Sequence, residues 1–498
     1  MRSSPPGVDD LLRLVEALRL LDRSVDDATR VSRLRALEML KAAASAAQAR
    51  DTADLAASRH AQRAAAGVPP QERGRGVAAE VALARRDSPR RGAQHLGLAT
   101  ALVHEMPCTL AALEAGRISE WRATVLVRDT ACLTRADRTA VDAEVAGDPA
   151  VLEQLGDRAL GARVRQAAYR LDPLSVVERA RRVERERRVT LRPAPDTMAY
   201  LTALLPVAAA VSVVAALGRA ADAARGCGDG RPRGQVMADT LVASVVQHPE
   251  VPAPAGERGA AVRLVMTDRA LLDGGDEPAD VEGYGPVPAG WARELLAGTL
   301  DRGDEVWLRR LVLSPVSGRP VATDSHARLA PRALADWVRT RDAGTCRTPW
   351  CDAPARHVDH VVPHARGGPT TAENLQGLCE ACNHAKEAPG WRASVVLDRA
   401  VVGRGGAAAV RGDPLSDEPP DDGLADDGPH TVVTRTPTGH RYRSVAPPLP
   451  GAQRGQDPRG QSGGPPGPDP LEVQDDGIAG VVERWLAGRL LTGALGLL

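Results

Sequence analysis

Two closely spaced pairs of cysteines constrain this chain more than any other feature of its sequence. Four residues separate Cys346 from Cys351, two separate Cys379 from Cys382, and 27 lie between the pairs. Such spacing is typical of a tetrahedral thiolate site, in which one metal ion joins two turns. A segment this short buries too little surface to be stable alone, and structural zinc supplies on the order of 10–16 kcal/mol of apparent binding energy to such units. The sequence therefore predicts structural zinc here, with four free thiols or two disulfides as the alternatives.

A candidate hydrolytic site lies between the two cysteine pairs. The apolar run 358–363 predicts a strand that carries Asp359 and His360, and the next glycines, at 367 and 368, predict a loop. Asn374 is predicted to begin or precede a helix that reaches the second cysteine pair. A carboxylate and a histidine on a strand that faces a helix can share one divalent metal and one water molecule. Because a neutral histidine can deprotonate water near neutral pH, this arrangement suits phosphodiester hydrolysis.

The segment from Cys346 to Trp391 resembles the HNH endonuclease motif in its zinc-stabilised, ββα-metal form. The order of the cysteine pairs, Asp-His, Gly-Gly, Asn-Leu and Cys-x-x-Cys-Asn-x-x-Lys carries the resemblance. It implies a DNA endonuclease, with RNA not excluded as a substrate. The implied roles are a catalytic metal ligand at Asp359, a general base at His360 and an orienting residue at Asn374.

The same resemblance leaves the second metal ligand open. That ligand directly follows the last cysteine and is often histidine in the family, whereas here the position holds Asn383 and the histidine comes next, at His384. The register favours Asn383, while imidazole is the better ligand for transition metals. An amide oxygen suits Mg²⁺ or Mn²⁺, which are therefore the expected catalytic ions. Arg366 and Lys386 are the predicted DNA phosphate contacts.

The asparagine keeps a second function class open, a zinc-stabilised nucleic-acid-binding module without cleavage. An interaction scaffold built on the N-terminal part is a third. The formal net charge is zero, which argues against coating nucleic acid through bulk charge. Protein partners cannot be predicted from the sequence.

The rest of the chain predicts a mostly α protein, with a large helical N-terminal domain over 9–325 that contains minor strands. Aromatic residues make up 2% of the chain, and packed helices tolerate this better than sheet sandwiches do. The block Leu110–Ser119 resembles a large actinobacterial family in which a helical domain of unknown function precedes an HNH module.

The other boundaries follow from composition. Residues 1–8 are predicted to be disordered, 330–400 to form the HNH module, and 476–498 to form a terminal helix. Residues 403–475 are rich in Gly, Pro and Asp and are predicted to be a disordered tail. The apolar stretch 204–217 is too short to span a membrane and is predicted to be a buried helix. With no secretion signal, the expected location is the cytoplasm.

Overall fold

The computed structural model describes residues 7–246, 262–301, 306, 329–396 and 429–450. These residues are mostly helical with four small antiparallel sheets, which confirms the predicted fold class. The predicted terminal helix at 476–498 and most of the predicted disordered residues lie outside the described ranges.

Within the described ranges, ten α-helices precede the first strand. They are α1 Val8–Arg19, α2 Asp27–Ala65, α3 Val77–Arg85, α4 Pro89–Glu105, α5 Pro107–Glu114, α6 Glu120–Asp129, α7 Arg135–Ala146, α8 Pro149–Gln154, α9 Asp157–Leu171 and α10 Pro173–Val183. Six more follow, namely α11 Val207–Gly226, α12 Arg233–Val246, α13 Asp268–Leu272, α14 Ala289–Asp301, α15 Arg332–Arg341 and α16 Glu380–Lys386.

The strands form two hairpins and two three-stranded sheets. The hairpins pair β1 Arg188–Ala194 with β2 Met198–Leu204 and β6 His357–His360 with β7 Leu375–Leu378. One sheet has the order β3 Leu264–Val265, β4 Ala279–Val281, β5 Gly285–Val287. The other has the order β10 Arg441–Val445, β9 Thr431–Arg435, β8 Arg392–Val396.

A single apolar core joins α2 and α4–α9 in the N-terminal domain. Helix α2 contributes a stripe of alanines, Ala42, Ala46 and Ala49, whose helical spacing places them on one face. Their small side chains allow close packing against Leu102 and Leu113, which are fully buried. Helix α5 begins at Pro107 and was not predicted. A proline at the first position of a helix cannot be distinguished in the sequence from a proline that ends the preceding helix.

Helix α11 corrects the prediction of a buried helix near 204–217. Val207, Val211 and Val214 expose 82%, 64% and 60% of their surface. Within the described residues, α11 is long and apolar enough to span a membrane, and α4 with α5 would count as a second, sharply bent span. This is weak support for a membrane protein, since core helices have similar composition, and the absence of a membrane stays a prediction.

The predicted disorder of 403–475 is wrong for residues 429–450. Strands β9 and β10 form a hairpin that pairs with β8 of the module. Their alternating Val, Thr and Tyr residues are typical of strands, but the hairpin is stable only because it finds a partner strand and a buried anchor. That anchor is Arg347, which is 5% exposed and donates hydrogen bonds to the carbonyls of His430 (3.0 Å) and Ser444 (2.8 Å).

Replacing Arg347 by alanine should destabilise the module by about 2–4 kcal/mol, because two hydrogen bonds from a buried charged donor are lost. The loss should appear as a lower midpoint of chemical denaturation, followed by tryptophan fluorescence. Arg356→Ala, an exposed arginine in the same module, is the matched control and should unfold like the wild type. Equal midpoints for the two variants would contradict an anchoring role.

Candidate metal and catalytic site

The four predicted zinc ligands lie together in one buried cluster. The Sγ atoms of Cys346, Cys351, Cys379 and Cys382 all fall within 4.8 Å of one another, and each residue is at most 8% exposed. The cysteines are free thiols, and the 3.7 Å between Cys351 and Cys379 Sγ is far longer than a disulfide bond. Four converging buried sulfurs fit tetrahedral zinc, whereas four buried thiols without a metal would lack comparable partners.

Local structure brings the second pair into position. Cys379 is the N-cap of α16, and its Sγ accepts a hydrogen bond from the Cys382 backbone N–H at 3.5 Å. Hydrogen bonds from the neighbouring thiols, Cys346 first, hold the pKa of Cys379 well below that of a free thiol. A thiolate is the form that binds zinc.

The candidate base is held on β6 beside the candidate metal ligand. His360 is 8% exposed, and its Nε2 lies 2.9 Å from the Thr370 hydroxyl. Its ring meets that of His364 edge to face at 5.6 Å. Asp359 precedes it and pairs with Gln376 of β7. The predicted strand is present. The predicted helix at the second cysteine pair is present as α16, which begins only at Glu380 because residues 375–378 form β7.

Asn374 fastens the loop that follows His360. Its Oδ1 accepts a hydrogen bond from the Val362 N–H (2.9 Å), and its Nδ2 donates to the carbonyls of Val362 (3.0 Å) and Pro369 (2.8 Å). A Cβ at Gly368 would come within 1.9 Å of the Val362 carbonyl oxygen, so only glycine fits there. The asparagine and the glycine together fix the path of the chain around His360.

Helix α16 presents Lys386 to β6. The Lys386 ammonium donates to Asp359 Oδ2 and to the His360 carbonyl oxygen, the latter at 2.6 Å. Asn383 lies one turn earlier on the same face. Its Oδ1 is buried and has no hydrogen-bond partner among the described residues. His384 is exposed.

The donors fit a divalent cation that prefers oxygen. A buried amide oxygen without a hydrogen bond is costly, and a cation bound by Asn383 Oδ1 would remove that cost. In the structure Lys386 balances the charge of Asp359 instead. The Lys386 side chain is 10% exposed and is held inside the module by this ion pair, and its role as a DNA phosphate contact stays a prediction. Arg366 is exposed in the loop after His360.

A buried ion pair that joins α15 to β7 could not be predicted from the sequence. Asp342 is 1% exposed and accepts from the Gly377 N–H at 2.7 Å. Arg341 donates to the carbonyls of Ala372 (2.6 Å) and Leu375 (2.8 Å). Adjacent Arg and Asp at a helix end usually lie at the surface, so their pattern does not reveal this role. Thr370, whose hydroxyl contacts His360, was also missed, because a threonine in a loop usually lies at the surface.

The fold and the site together define an HNH-type ββα module with a four-cysteine cluster, attached to a helical domain. Family comparison agrees: residues 34–342 match the domain of unknown function DUF222, and residues 344–388 match the HNH endonuclease domain. The first match covers more than half of the chain, so the chain belongs to the DUF222 family, and its HNH domain supports a nuclease-type function in general. No curated protein and no solved structure matches the chain.

Proposed function

We propose that this protein is a metal-dependent DNA endonuclease that cleaves phosphodiester bonds with a water molecule activated by His360. The observation that carries the proposal is the buried, unpartnered Oδ1 of Asn383, which lies one helical turn before the lysine, Lys386, that binds Asp359. Four cysteines account for the structural metal, so this second group of donors points to a separate divalent ion. Oxygen donors favour Mg²⁺ or Mn²⁺.

Each side chain has a distinct role in this proposal. Asp359 and Asn383 hold the ion, which when bound neutralises phosphate charge and stabilises the leaving oxygen. His360 accepts the proton of the attacking water. The Thr370 hydroxyl fixes the orientation of the His360 ring, and Asn374 holds the loop that shapes the site.

Nicking of supercoiled plasmid by the full chain tests the proposal. We expect conversion to open circles with Mg²⁺ or Mn²⁺ and none with excess chelator. A structured RNA in parallel reactions separates DNA from RNA cleavage. Intact plasmid with every divalent ion tried, by protein that contains its full zinc, would contradict the proposal.

The two candidate second ligands are distinguishable by substitution. Asn383→Ala should lower the rate of nicking by at least about 10–100-fold, because it deletes a metal donor. Removal of a residue that only supports a metal ligand already has an effect of this size. His384→Ala, the adjacent control, should keep near wild-type nicking, because its side chain faces solvent. Asn383→Asp should retain Mn²⁺ binding, measured by calorimetry, because the oxygen donor remains. An inactive His384→Ala beside an active Asn383→Ala would reverse the assignment.

One observation favours a second candidate function, nucleic-acid binding without cleavage. Lys386 already neutralises Asp359, so the module holds together at this point without a divalent ion. Under this alternative the protein would bind duplex DNA with an affinity that chelator does not change, and plasmid would stay intact. Metal-dependent nicking would eliminate it.

A further inference from the structure

The β1–β2 hairpin of the helical domain leaves one apolar face uncovered. The strand register places Leu191 directly opposite Leu201, and Val189, two residues before Leu191, lies on the same face. All three side chains are more than half exposed. The other face carries Arg192, whose guanidinium lies 4.9 Å from the centre of the Tyr200 ring. The hairpin therefore alternates like a strand pair with one buried side, yet that side is exposed.

A strand pair of this kind is incomplete on its own. Two isolated strands are marginally stable in water, and a sheet with an apolar face needs three or more strands or a packed helix. Among the described residues, β1 and β2 pair only with each other, so each strand has one edge without a partner strand. Helix α11 begins shortly after β2, and its exposed Val207, Val211 and Val214 continue the uncovered apolar surface along the chain. This part of the domain therefore requires a partner surface.

The two edges of the hairpin differ in what they can bind. Strand β1 carries Arg188, Arg192 and Pro193, and proline has no N–H to donate to another strand. Charged residues and proline are common means by which an edge strand avoids pairing with other chains. The seven residues of β2, Met198–Leu204, include no charged residue and no proline. The β2 edge is therefore open to another strand, whereas the β1 edge is protected.

The β2 sequence is complementary to itself. In an antiparallel pair of two β2 strands with a two-fold axis at the central residue, Leu201 lies opposite the same residue of the second copy. The remaining pairs are Ala199 with Ala203, Met198 with Leu204, and Tyr200 with Thr202. Aromatic and β-branched residues are favourable neighbours across strands, and no charged group meets a like charge. The edge therefore suits a second copy of this chain.

We propose that two copies of this chain associate through their β2 edges and form one four-stranded antiparallel sheet with the strand order β1-β2-β2-β1. The association supplies the strands that the apolar face requires. Because a two-fold contact uses the same surface on both copies, it closes after two chains, and the protected β1 edges prevent further growth. The product is a dimer with two HNH modules.

Sedimentation velocity of the full chain over a concentration series measures the association. We expect twice the mass of one chain at micromolar concentration. Leu201→Lys should weaken the dimer by about 100-fold, because it opposes two like charges across the two-fold axis. Leu34→Lys, which changes a similarly exposed leucine on α2, is the matched control and should associate like the wild type. Circular dichroism and thermal unfolding confirm that both variants are folded.

A mixture of two variants tests whether the partner is a second copy. Leu201→Lys and Leu201→Glu should each be monomeric alone. An equimolar mixture should form heterodimers, because lysine then lies opposite glutamate across the axis. A hairpin that had lost its structure, or one that binds a different protein, would not recover association on mixing.

A wild-type chain that stays monomeric would overturn the proposal, as would a dimer that Leu201→Lys leaves intact. A monomer whose thermal stability falls in Leu201→Lys would show that a segment of the same chain covers the hairpin instead. A monomer that binds phosphatidylcholine vesicles would assign the apolar face and α11 to a membrane surface. Loss of the dimer in Leu34→Lys alone would place the interface on α2.

Discussion

Replacing Cys379 by serine in the full chain should unfold the HNH module and abolish stoichiometric zinc binding. Its sulfur is one of four within 4.8 Å, and it also caps α16. Structural zinc contributes on the order of 10–16 kcal/mol to small domains of this kind, which exceeds the total stability of most domains. Elemental analysis for zinc and limited proteolysis of residues 330–396 measure the two losses.

The N-terminal domain should survive the same substitution, because its core shares no residue with the cysteine cluster. Cys227→Ser is the matched control, since Cys227 is exposed and lies apart from the cluster. It should retain zinc and resist proteolysis like the wild type. A wild-type protein without zinc, or a zinc-free Cys379→Ser module that resists proteolysis, would rule out a structural metal.

Replacing His360 by alanine should reduce plasmid nicking by about 10²–10⁴-fold, the usual contribution of proton transfer by a positioned side chain. Zinc content should not change, because His360 lies outside the cysteine cluster. His357→Ala is the control on the same strand, where the exposed side chain is the nearest alternative base. Loss of nicking in His357→Ala with wild-type rates in His360→Ala would move the base to His357.

The DUF222 domain is in direct contact with the HNH domain that follows it. Glu80 of α3 accepts hydrogen bonds from the backbone N–H (3.2 Å) and the hydroxyl (2.5 Å) of Thr438 in the C-terminal hairpin. Arg75 donates to the His384 carbonyl on α16 at 3.3 Å. The hairpin and α16 therefore both contact the DUF222 domain.

The amino-acid sequence by itself was sufficient for features that depend on short-range spacing. The cysteine pairs, the Asp359–His360 strand and most N-terminal helices could be predicted, because metal ligands and amphipathic faces recur at fixed intervals along the chain. The sequence left open whether Asn383 or His384 is the second metal ligand. Neighbouring helix residues point about 100° apart, and which of them faces inward depends on what the helix packs against.

Tertiary structure alone decided the features that join distant segments. Residues 429–450 have too little apolar content to fold alone. They form a hairpin because Arg347 donates a hydrogen bond to it and β8 pairs with its first strand. The Lys386 side chain points into the module because its ammonium pairs with the carboxylate of Asp359, which is distant in the sequence. In each case the partner that fixes the residue is remote along the chain, so its stabilising energy is absent from any local pattern.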